Sequence, residues 1–196
     1  MTHWLRVRRA WVMVETIALL AVLMVAGGDH TVAVPTVIGG GTGAIVWSTF
    51  VPLGWAAVVA YAFEHHGTDA EARPARRLWA FDVALVAVMS GLAAGVFAVT
   101  GSVETLAQVA AHVLLVSGLT AGVTVCRGSG TGILVTTVLV LLTFSYGVSA
   151  PGADYVRVLQ PDGDVVWSLA VGVAVFVAGL ATIWWRRESP PVRAEA

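Results

Sequence analysis

Six long apolar runs, separated by short polar or glycine-rich stretches, make up most of this chain. They cover about residues 11–28, 41–63, 78–100, 105–126, 131–148 and 165–185. Each approaches the roughly 20 apolar residues that a helix needs to cross the ~30 Å hydrocarbon layer of a bilayer. Backbone N–H and C=O groups find no water in that layer, so a run of this kind bonds to itself as a helix. The pattern predicts an all-α membrane protein, with residues 1–196 forming a single transmembrane domain of six transmembrane helices. A polar connector, 64–77, divides the second run from the third, and an outer loop, 149–164, divides the fifth from the sixth.

Charge orients the predicted helices. All of the basic residues are arginines. Arg6, Arg8, Arg9, Arg73, Arg76, Arg77, Arg127, Arg186, Arg187 and Arg193 fall on one side of the predicted topology, and only Arg157 falls on the other. Short loops rich in Lys and Arg stay on the cytoplasmic side, so both termini are expected in the cytoplasm of a multi-pass cell-membrane protein. Trp4 and Trp11 flank the N-terminal arginines, and Trp184 and Trp185 precede Arg186, as indoles do at a membrane interface.

Composition then narrows the classes. The chain is 58% hydrophobic and 12% charged, about half the charge of an ordinary soluble domain. Its formal net charge of −1 gives no basic field for nucleic acid. Cys126 is the single cysteine, which excludes an intrachain disulfide and any CxxC site. No GxSxG, HExxH or comparable catalytic set occurs, so no enzyme, metal or bound cofactor is expected.

Three ionisable side chains fall inside the predicted spans: Glu15, Asp82 and His112. A charge in hydrocarbon costs at least ~2.5–3.5 kcal/mol on insertion scales, so such groups usually face the bundle or water. Glu15 and Asp82 lie about one turn inside the cytoplasmic boundary, within reach of an arginine such as Arg9 or Arg77. His112 lies about 12 Å from the outer end of its span. It reads either as a hydrogen-bonding group between helices or as a proton or haem site, with no second intramembrane histidine for a bis-histidine haem.

Two segments echo one another. Met89-Ser90-Gly91-Leu92-Ala93-Ala94-Gly95-Val96 in the third span resembles Val116-Ser117-Gly118-Leu119-Thr120-Ala121-Gly122-Val123 in the fourth. Each contains GxxxG, which sets two glycines on one helix face and lets a neighbouring backbone approach closely. Gly91, Gly95, Gly118 and Gly122 are therefore expected at helix–helix contacts.

The connector has its own grammar. Thr68-Asp69-Ala70-Glu71 has the form of a capping box, and Pro74 suits the first position of the helix that follows. This predicts a short charged helical turn beneath the membrane, with an ordinary solvated loop as the alternative.

Six spans, a basic interfacial N-terminus, a short cytoplasmic helix between spans two and three, and a long outer loop before span six together resemble ABC-2-type exporter permeases. The resemblance is one of topology across the whole chain. It implies that Thr68, Asp69, Glu71, Arg73, Arg76 and Arg77 form a coupling element that docks on a cytoplasmic ATPase subunit. It also implies that Tyr155–Leu159 belongs to an outer hairpin, and that a second permease subunit faces this one within the lipid. ATP would enter only through the separate ATPase chain, since no Walker motif is present. Two other classes stay open: a non-transporting anchoring, immunity or assembly subunit, and an intramembrane enzyme or haem protein centred on His112.

Overall fold

The computed structural model describes residues 10–27, 30–35, 42–46, 50–64, 78–100, 106–145 and 165–188. Among these residues, six helices carry the architecture: α1 (Ala10–Gly27), α2 (Val51–Glu64), α3 (Leu78–Thr100), α4 (Leu106–Arg127), α5 (Ser129–Ser145) and α6 (Val165–Glu188). Four of them, α1, α3, α4 and α6, are long and apolar enough to cross a membrane, which fits a multi-pass membrane protein. The other two are apolar but shorter, at 14 residues for α2 and 17 for α5.

One expected span changes character. Residues 41–63 do not form a continuous helix, because Thr42–Val46 is a strand, β2, and the helix begins only at Val51. β2 pairs antiparallel with β1 (Thr31–Pro35) in the register Thr31↔Val46 to Pro35↔Thr42. The physical reason is composition: Thr31, Val32, Val34, Ile45 and Val46 are β-branched, and their stiff side chains suit an extended backbone. The remaining helices keep close to their expected bounds.

α4 is the central element. Of its apolar window 61% is buried inside the molecule, against 22% for α1 and 28% for α6. It touches α2, α3, α5 and α6, and its contact with α6 is the most extensive among the described elements. That contact is glycine-built. A Cβ at Gly172 would overlap the backbone of Ala111, and one at Gly179 would overlap the backbone of Gly118. A Cβ at Gly118 would in turn strike Val175 and Phe176. Positions on the two helices rise together, so α4 and α6 run parallel with their backbones in close approach.

Parallel neighbours require that the chain between them turn back. It does so at Gly128, whose φ of 96° places it in the left-handed region. Its N–H donates to the Thr124 carbonyl at 2.8 Å, closing α4, and α5 starts at the next residue. Only glycine adopts this conformation without steric cost. α5 then returns along α4, with Thr136 level with Thr120 and Gly132 packed on Thr124.

The apolar core gathers Met13, Ile17, Leu20 and Met24 of α1, Trp55, Val59 and Phe63 of α2, and Val86, Met89 and Phe97 of α3. On the outside, Trp11, Trp167, Trp184 and Trp185 are all exposed.

Candidate functional site: a polar column on the central helix

α4 carries buried polar side chains at four-residue intervals: Gln108, His112, Thr120 and Thr124, with Val116 completing the series. Ser117 lies beside it, also fully buried. From Gln108 to Thr124 the column rises about 24 Å. A spacing of four drifts slowly around a 3.6-residue helix, so successive members meet different neighbours. Ser117 accepts a hydrogen bond from the Trp55 indole N–H of α2 at 2.8 Å. Thr120 shares a 2.8 Å hydroxyl–hydroxyl bond with Thr136 of α5. These bonds tie three helices together where water cannot compete, the usual role of hydroxyls between packed apolar helices.

Among the described residues, the buried hydroxyls of Ser90 of α3, Thr124 of α4 and Ser168 of α6 have no hydrogen-bond partner. Buried polar atoms in that state carry a desolvation cost of about 1–3 kcal/mol each.

The ionisable candidates separate. Asp82 is wholly buried in α3 and His112 nearly so in α4, and neither lacks a partner. They are not brought together. α3 and α4 are adjacent and joined by only five residues, 101–105, so they run antiparallel. Asp82 lies early in α3 and His112 early in α4, which sets them roughly 18 Å apart along the bundle. Glu15 is exposed on the outer side of α1. Among the described residues no group of three His, Cys, Asp or Glu side chains could hold a metal ion. Cys126 is free and partly buried near the end of α4.

The four glycines also separate. Gly118 and Gly122 lie in the α4–α6 contact, where Gly122 comes within 3.2 Å of the Gly179 Cα when a Cβ is placed on it. Gly91 and Gly95 are exposed, and nothing stands within 4 Å of a Cβ at either position. Among the described residues, the close approach expected of α3 through these two glycines is not made, because α4 and the core lie on its other side. Thr68, Asp69, Glu71, Arg73, Arg76 and Arg77 of the connector, and the outer loop 149–164, lie outside the described residues.

Sequence reasoning missed the polar column. Its signal was present as Gln108, His112, Thr120 and Thr124 at helical spacing in an apolar run. Trp55 gave no comparable sign, since an indole in an apolar helix reads as core. Comparison with known proteins finds no matching family model, no matching curated protein and no matching solved structure.

Proposed function

We propose that the chain is the membrane-spanning subunit of a transporter, an ABC-type exporter permease whose ATPase is a separate chain. The observation that carries this reading is the parallel pairing of α4 and α6, beside the buried polar side chains on the other faces of α4. Parallel neighbours need α5 to return across the layer between them, and its 17 residues rise about 26 Å. Trp167 and Trp184, both exposed on α6, stand 17 residues apart, about 26 Å, near the thickness of a bilayer core. With α2 as a further crossing, this supports six spans with both termini in the cytoplasm of a cell-membrane protein. The arginine-rich connector then falls on the cytoplasmic side, where an ATPase would meet it.

Transport chemistry asks for polar groups inside an apolar bundle, and the α4 column supplies them at several depths. A partner subunit would contribute the other wall of the path. A second reading, a non-transporting assembly or anchoring subunit, draws support from the α4–α6 glycine contact, which favours a rigid scaffold over a moving one.

The connector distinguishes the two. Arg73→Glu combined with Arg76→Glu replaces two positive charges that would face the ATPase, and should weaken its association at least tenfold through like-charge contacts. The bundle should stay folded, since these positions lie outside the apolar runs. Affinity purification from native membranes, with ATP turnover measured on the eluate, is the test. Recovery of no ATPase, or turnover and association untouched by the double reversal, ends the exporter reading.

A further inference from the structure

α1 turns a consistent face to the bundle: Met13, Ile17, Leu20 and Met24 are its buried residues. Glu15 follows Met13 by two positions, about 200° around the helix, and so points directly away from the bundle. Trp11, Ala18, Leu19, Val22, Val25 and Ala26 share its exposed side. Asp82, Gln108 and His112 are all turned inward and buried. Glu15 is the exception, an outward-facing carboxyl in the second turn of an otherwise apolar face. No described residue is paired with it.

Ionisable side chains within membrane helices usually face the protein interior or water, because lipid cannot solvate them. We infer that the Glu15 face of α1 docks a transmembrane helix of another protein, one that presents an arginine at the matching depth. A guanidinium can meet a carboxylate through two parallel N–H···O bonds, and the flanking Ala18, Leu19 and Val22 supply a smooth apolar surface for the rest of the contact. Charge selects against a second copy of this chain, since a symmetric pairing through the same face would set Glu15 against Glu15. The inference rests on α1 crossing the membrane and not on transport.

The test uses the full chain in phosphatidylcholine vesicles, labelled with a donor fluorophore at Cys126. The probes are acceptor-labelled Leu/Ala peptides of about 20 residues with Arg, Gln or Leu one turn inside one end. The Arg peptide should associate about five- to thirtyfold more tightly than the Leu peptide, the range of a strong polar contact between membrane helices. Glu15→Gln should remove that preference, and Glu15→Arg should transfer it to a peptide carrying Glu. The melting temperature should be unchanged in both variants, because Glu15 makes no contact with the core. Equal binding of the Arg and Leu peptides by the unaltered chain would overturn the inference, showing that the carboxyl serves the headgroup layer. So would a preference that survives Glu15→Gln. Energy transfer between donor- and acceptor-labelled copies of the chain that disappears in Glu15→Gln would overturn it in favour of self-association.

Discussion

The segments 89–96 of α3 and 116–123 of α4 share the pattern Ser-Gly-Leu-x-Ala-Gly-Val, yet the fold treats them in opposite ways. In α4 the glycines are buried against the α6 backbone, and Ser117 is bonded to Trp55. In α3 the glycines look outward into open space, and the buried Ser90 hydroxyl is unpartnered. A GxxxG pattern fixes which residues share a face. Where that face points depends on which side the neighbours take: α6 lies on the glycine face of α4, whereas α1, α4 and α6 all lie against the other face of α3. Small residues are thus a permission for close packing that only the surrounding helices can use.

The sharpest way to break this contrast is a matched pair of substitutions. Gly118→Leu forces a side chain into the backbone of Val175 and Phe176, which cannot yield as a flexible side chain would. It should cost at least about 3 kcal/mol, beyond ordinary overpacking, and lower thermal stability in detergent sharply. Gly91→Leu, the same change on the twin segment, should leave stability within about 0.5 kcal/mol of the parent. Equal losses in the two variants would mean that the α3 face is covered after all.

A smaller effect is expected at the α4–α5 contact. Gly132→Ala drives a methyl into the Thr124 hydroxyl and toward the Thr120 carbonyl. About 1–3 kcal/mol should be lost, as for other overpacked positions. Thr124→Ala in the same chain should recover part of it, because one of the obstructing groups is then gone. A double variant no more stable than Gly132→Ala alone would show that the backbone carbonyl sets the limit. The smallest effect is expected at the Trp55–Ser117 bond. A double-mutant cycle with Trp55→Phe and Ser117→Ala should return a coupling of about 0.6 kcal/mol, the average for such bonds inside membrane bundles, and no more than about 1.7. A coupling indistinguishable from zero would reduce the α4 segment to the status of its α3 twin, packed but not tied.

Much of the helical framework was legible from residue order alone. α3 occupies Leu78–Thr100 as its apolar run predicted, bounded by Arg77 and Gly101, and α4 shifts by one residue against Arg127 and Gly128. These boundaries are sharp because a charge or a left-handed glycine ends the helix for local reasons. The second run was misread because hydropathy counts Val and Ile equally in a helix or a strand. Thr31–Pro35 and Thr42–Val46 declare themselves only through β-branching and through pairing with each other, which is a non-local event. For the candidate site, the buried hydroxyls of Ser117, Thr120 and Thr124 escaped notice, whereas Asp82 and His112 were already expected toward opposite ends of the bundle. Their separation follows from the antiparallel course of α3 and α4. The outward direction of Glu15 follows from the buried series Met13, Ile17, Leu20 and Met24, a series hidden in a run apolar on every side.

The single-residue link at Gly128 bears on how the chain reaches the membrane. α5 has 17 residues and is marginal as an independent crossing. With one residue between them, α5 has no slack to take a place away from α4. The pair forms through contacts close in sequence, and such local hairpins assemble faster than any partnership across the molecule. α4 and α5 are accordingly expected to behave as one folded couple, the longer helix carrying the shorter. α6 is expected to close on that couple afterwards, since its contact with α4 joins elements farther apart in the chain.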